Sequence, residues 1–146
     1  DAEDLRRLAT GLALGDVVRF DGPMPQEELI PIFQRASVFA LASVVASDGD
    51  RDGLPNVLLE ALALGVPVVS TRVSAIPELI EHEQTGLLAK PGDADDLADQ
   101  LERMLFDGEL RAQVIAQGRT RVVTHFEVRE NVALLADLFT AVMARR

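Results

Sequence analysis

Apolar positions along the chain follow two rhythms. Leu5, Leu8, Ala9, Leu12 and Ala13 recur at helical spacing and predict a helix over 1–14, closed by Gly15. Val17, Val18, Arg19 and Phe20 form a short β-branched run, ended by Asp21-Gly22-Pro23. Leu29, Ile30 and Phe33 share one side of a helix over 26–35. Ser37 to Ala42 reads as a continuous apolar strand, and residues 43–54 as a polar, glycine-containing loop. Pro55 then opens a helix that runs to Leu64, with Gly65 as its cap. Residues 67–70 predict a buried strand, 74–81 a short helix around Pro77, and 85–90 a last strand. Helices over 93–106, 109–125 and 128–143 complete the chain, the first with Asp93 as N-cap.

Four strands thus alternate with helices, and each strand is apolar throughout rather than at every second position. That pattern predicts a Rossmann-like α/β fold, a parallel sheet with helices on both faces. The length of 146 residues suits one domain, with 109–146 as a helical tail. In that tail Val132, Leu135, Leu138, Phe139 and Val142 form an apolar stripe that calls for a partner.

Composition narrows the function. The formal net charge of −10 makes a poor match for nucleic-acid phosphates or anionic lipid, so no nucleic-acid partner is expected. The chain has no cysteine, which removes disulfides, thiolate nucleophiles and cysteine-type zinc sites. His82 and His125 are expected on the surface without catalytic roles. No apolar run reaches the roughly 18–20 residues of a membrane span, so a cytoplasmic protein is expected, touching membrane only through parts absent here.

In doubly wound folds ligands sit beyond the carboxyl ends of the strands. The loop 43–54 leaves such an end and runs into a helix. With Pro55 at the first helical position, the N–H groups of Asn56, Val57 and Leu58 lack an obvious cap. They suit an anion, unless Asp52 or water fills the gap. Glu60 is the only charge in a helix otherwise apolar all round, so it reads as a buried carboxylate in need of partners. Sugar hydroxyls would serve, and so would backbone N–H groups or an arginine. Asn56 and Glu60, four apart, share a helix face, with Asp52 just ahead. Asp48, Asp50 and Asp52 alternate, but without the spaced Glu of a calcium loop they read as a solvated turn.

The segment DGLPNVLLEALALGVPVVST resembles the signature of the family 4 retaining glycosyltransferases, which have the GT-B fold. Glu60 matches the second acid of its paired-acid motif, Asp52 stands where the first Glu is expected, and Gly65, Pro67, Val68 and Val69 follow in order. Upstream, VVRFDGPMPQEELIPIFQRASVFALAS resembles the family's strand, loop, helix and strand. Downstream, Pro77, Glu78, Gly86, Pro91, Gly92 and Asp93 fit its later motifs.

The resemblance implies a carboxyl-terminal domain that binds a UDP-, GDP- or ADP-sugar. Glu60 would accept hydrogen bonds from ribose hydroxyls, and Asp52, the candidate catalytic residue, would contact the transferred sugar. Gly53, Leu54, Asn56 and Val57 would face sugar and diphosphate, while Ser43 and Val44 would line the base pocket. Neither metal nor other cofactor is implied. Two departures stand out. Asp52 is one methylene shorter than Glu, and the family's first strands, with their diphosphate-binding Arg and Lys, have no counterpart in the chain. The isolated chain is therefore expected to be inactive. The amino-terminal acceptor domain, or another chain, is expected to complete the sheet. Two other readings stay open: a non-catalytic flavodoxin-like interaction module, or another GT-B enzyme such as a nucleotide-sugar epimerase.

Overall fold

The structure, a computed structural model, describes residues 2–143 and divides the chain into two compact units, residues 1–31 and 32–146.

The first unit holds helix α1 (Ala2–Gly11). Its stop is not at Gly15. The N–H of Leu14 reaches the carbonyl of Ala9 (2.8 Å) and that of Ala13 reaches Thr10 (3.0 Å). This is a Schellman closure with Ala13 in the left-handed region, at φ 55°. Arg6 lies over the Phe20 ring, 5.5 Å from its centroid. The strand expected over 17–20 does not form. These residues are turn and coil, they pair with no strand among the described residues, and Val17 is 77% exposed. A strand exists only where a neighbour takes up its backbone groups, and none does. Helix α2 (Gln26–Arg35), with Pro31 inside it, has the expected bounds.

The second unit is built on three parallel strands rather than four. They are β1 (Phe39–Leu41), β2 (Val68–Thr71) and β3 (Leu87–Ala89), in the order β1-β2-β3. Phe39 pairs with Val68, and Val69 with Leu87. Every residue of β2 and β3 is buried, so both faces of these strands are covered, as continuous apolar runs require. In β1, by contrast, Ala40 is exposed.

Helix α3 (Asn56–Ala63) packs on β2, and α4 (Ile76–Leu79) is a single turn. Helix α5 (Ala94–Phe106) packs on β2 and β3; α6 (Gly108–His125) packs on α3 and α5; α7 (Val128–Met143) follows. One core cluster joins Val69, Leu87, Met104 and Val114, with Leu97 and Leu101 against it. Asp93 caps α5 by accepting the Asp96 N–H (3.0 Å), as expected, and Asp107 caps α6 in the same way through Leu110.

Helix α6 comes close enough to the rest of the core that Gly118 has no room for a side chain. A Cβ there would stand 2.9 Å from the Thr85 carbonyl and 2.7 Å from Leu62. Arg121 ties α6 to α4 through the Glu78 carbonyl (2.6 Å) and to the residues just after α4 through the Glu81 carboxylate (2.5 Å). It is therefore a structural bridge more than a free surface residue.

His82 also departs from a purely solvated reading. Its Nδ1 accepts the N–H of buried Leu88 (3.0 Å) in β3, and its backbone forms an isolated bridge with Gly86. Burial, then the nearby Arg72 charge, hold its pKa below the usual histidine value.

Candidate functional site

The polar loop 43–54 leaves the carboxyl end of β1 and delivers the chain to α3. It is folded on itself. The N–H of Ala46 reaches the Asp50 carbonyl (2.8 Å), that of Gly49 reaches Ala46 (2.9 Å), and the Asp48 carboxylate accepts the Asp50 N–H (3.0 Å). Gly49 sits at φ 88°, which suits the residue without a Cβ.

Pro55 takes the N-cap position of α3, at φ −63° and ψ 121°, so the helix begins at Asn56, one residue later than expected. Its side chain has no polar atom, and no side chain caps the helix. The alternative in which Asp52 reaches forward to cap is thus not realised. Of the three N–H groups expected to be open, that of Leu58 is taken by the Pro55 carbonyl (3.1 Å). Those of Asn56 and Val57 meet no acceptor among the described residues. The end of the helix is as expected. Gly65, at φ 75°, bonds Leu62, and Val66 bonds Ala61.

Burial around α3 corrects the expectation of a helix hidden on all sides. Leu58, Ala61 and Leu62 are buried, whereas Asn56 and Ala63 are exposed and Glu60 is half-buried. Positions 56, 60 and 63 fall on one face, so an accessible strip carries Asn56 and Glu60. The apolar residues misled because leucine and alanine fill partly open positions as well as closed ones. Glu60 therefore reaches solvent, and burial does not force a partner upon it. Among the described residues neither the Glu60 carboxylate nor that of the exposed Asp52 has a hydrogen-bond or ion-pair partner. Two carboxylates with free acceptor capacity beside open backbone N–H groups suit a ligand rich in hydroxyls that also carries negative charge.

Gly53 is exposed and Leu54 half-buried; the Gly53 carbonyl accepts the Ala75 N–H (3.3 Å) from the turn after β2. Ser43 and the exposed Val44 start the loop at the end of β1. So the elements bring Asp52, Gly53, Leu54, Asn56, Val57 and Glu60 together in one short run. Ser43 and Val44 stand at its other end. No group of three or more His, Asp or Glu among the described residues is placed to hold a metal ion.

Two residues escaped the sequence reading. Ser70 and Thr71, both buried, send hydroxyls to the carbonyls of Leu41 (2.8 Å) and Ser43 (2.5 Å). The available signal was two hydroxyl residues closing an otherwise apolar strand, since buried polar groups take partners. Beside them lies a cavity of about 200 Å³ bordered by Ala42, Val44, Thr71, Ala94 and Leu97.

A parallel sheet covered by helices, with a polar loop at its carboxyl ends, belongs to the α/β class. Comparison with known proteins supplies the family. The sequence matches the family described as "Glycosyl transferases group 1" over residues 1–121, and the chain belongs to it. It is 43% identical over 136 residues to the amylovoran biosynthesis glycosyltransferase AmsK of Erwinia amylovora, covering 90% of this chain and 33% of that protein. Among solved structures it resembles sucrose-phosphate synthase from Thermosynechococcus elongatus, with a TM-score of 0.82 and 29% identity, over 99% of this chain and 35% of that one. It also shares its fold with Anabaena Alr3699/HepE, solved in complex with UDP-glucose. There the TM-score is 0.82 at 23% identity, over 96% of this chain and 36% of that one. The chain spans about a third of the length of the relatives it matches. These likenesses bear out the α/β, GT-B-type architecture expected from the sequence. Among the described residues no helix is long and apolar enough to cross a membrane.

Proposed function

We propose that this chain is the donor-binding, carboxyl-terminal part of a retaining glycosyltransferase, which moves a sugar from a nucleotide diphosphate sugar to an acceptor. One observation supports the reading above others: the Asp52 and Glu60 carboxylates, both without partners among the described residues, flank an uncapped helix start at the carboxyl ends of a parallel sheet. In this reading Glu60 accepts hydrogen bonds from the ribose. Asp52 accepts them from the transferred sugar, with a loop position that offsets its shorter side chain. Gly53, Leu54 and the N–H groups of Asn56 and Val57 face the sugar and diphosphate, and Ser43 and Val44 border the base.

The reaction builds negative charge on the departing diphosphate. Prepositioned N–H groups at the start of α3 lower the cost of that charge, because they need not reorganise as it develops. Residues that contact the acceptor, and cations for the diphosphate, come from an amino-terminal part of a whole enzyme working in the cytoplasm. By itself this chain turns over no nucleotide sugar. Family membership favours sugar transfer over a flavodoxin-like module.

The test is calorimetric titration of the chain with UDP-, GDP- and ADP-glucose in turn. One of them binds, and Glu60→Gln weakens that binding by about tenfold, as expected when a charge-assisted hydrogen bond becomes a neutral one. Equal affinity in wild type and Glu60→Gln removes Glu60 from the site.

A further inference from the structure

The loop that carries the site is held at both ends by one short segment, residues 71–75. At the start, Thr71 Oγ1 donates to the Ser43 carbonyl at 2.5 Å. At the finish, the Ala75 N–H donates to the Gly53 carbonyl at 3.3 Å. The segment between is tightly bent and anchored. The N–H of Val73 returns to Thr71 (2.9 Å), that of Ile76 returns to Val73 (3.1 Å), and Ser74 takes a left-handed φ of 49°. Val73 and Ile76 are buried.

The two attachments differ in what else supports them. Near Gly53 the chain enters α3, whose packing on β2 and α6 holds it in any case. Near Ser43 the ladder has already ended, since the last β1–β2 pair is Leu41 with Ser70. Ala42 and Val44, on either side of Ser43, border the cavity of about 200 Å³ that separates them from Ala94 and Leu97 of α5. Packing from that side therefore leaves slack. The side chain of buried Thr71 instead ties this end of the loop to β2, through its hydroxyl bond to the Ser43 carbonyl.

We propose that Thr71 is a positioning residue: its hydroxyl fixes where the loop 43–54 leaves the sheet, and through that loop where Asp52 and Gly53 stand toward the donor. The part concerning the donor rests on the proposed function; the part concerning the loop does not. Thr71→Val keeps the shape and removes the donor, leaving the Ser43 carbonyl unpaired beside a cavity that lets it move. Thr71→Ser restores the hydroxyl.

Two measurements on the chain test this. The first is limited trypsin digestion, with cleavage after Arg51, exposed within the loop, followed by mass spectrometry and compared with cleavage after Arg111 in α6. Loss of one hydrogen bond corresponds to about a three- to tenfold change in an equilibrium. Thr71→Val is expected to speed cleavage at Arg51 by that factor relative to Arg111, and Thr71→Ser to leave it near wild type. An equal rise at both sites, or no rise at Arg51, overturns the proposal, because the hydroxyl then serves general stability or nothing.

The second is titration with the glucose donor that wild type binds. Weaker binding in Thr71→Val, restored in Thr71→Ser, supports positioning. Unchanged affinity with faster cleavage at Arg51 overturns the link to the donor. If no donor binds, the proposed function fails; if Glu60→Gln has no effect on a donor that binds, Glu60 leaves the site; in both cases the digestion still decides the loop.

Discussion

Two valine pairs show what a sequence pattern does and does not specify. Val17-Val18 and Val68-Val69 both sit in short β-branched runs bounded by turn residues. The second pair is fully buried at the centre of three parallel strands. The first lies in coil with Val17 largely open to solvent. The intrinsic preference for extended backbone is shared. What differs is a pairing partner, which β1 and β3 supply to β2 and nothing among the described residues supplies to 17–20. Strand propensity is a statement about fitting a half-buried surface, and it lapses where the surface is missing.

The sharpest way to break this contrast is truncation on both sides of it. Leu87→Ala, on the strand next to Val69, should cost about 2–5 kcal/mol in urea unfolding, since it empties a closed core. Val17→Ala should stay within about 0.5 kcal/mol. Comparable costs would mean that 17–20 is packed after all.

A smaller effect probes the closeness of the core. Gly118→Ala forces a methyl against the Thr85 carbonyl, which is backbone and yields little, and against Leu62. The expected loss is about 1–3 kcal/mol, read as a lower urea midpoint at unchanged slope. Alanine favours the helix by up to about 1 kcal/mol over glycine, so a gain in stability would show that α6 stands off from α3.

The smallest effect concerns His82. Its folded-state pKa lies below the unfolded value, so the unfolded chain binds the proton more readily. The contribution of the neutral ring is complete above about pH 6.5 and declines as pH falls through that value towards the lower folded pKa. Protonation also removes the acceptor for the Leu88 N–H. Unfolding at pH 7.5 and 5.5 should show a drop in wild type that is smaller in His82→Gln. Equal drops would assign the pH response to other groups.

The same contrast explains how far the sequence could be read. Elements with local punctuation came through: α2 and α7 have the expected bounds, Asp93 caps α5, and Gly65 closes α3. Each depends on residues within a turn or two. Features set by distant chain did not. The strand at 17–20 needed a neighbour, and the Nδ1 of His82 is defined by Leu88. The cap of α1 fell on Ala13 because its two closing hydrogen bonds outweigh the modest cost of a left-handed alanine. At the site, Asp52, Asn56 and Glu60 were legible as one group from their spacing along a helix. The hydroxyls of Ser70 and Thr71 were not, because their acceptors lie 29 and 28 residues away.

Helix α7 gives the chain a colloidal character of its own. Its stripe of Val132, Leu135, Leu138 and Phe139 stays open to water; Leu138, for one, is 63% exposed. That greasy surface is the same at every pH. The repulsion that keeps copies apart is not, because it comes from a net charge of −10 at pH 7. Acid neutralises the carboxylates and removes the repulsion while the stripe remains, and salt at 0.1 M shortens its reach to about 10 Å. Light scattering from the chain is therefore expected to rise as the pH falls from 7 and as salt is added.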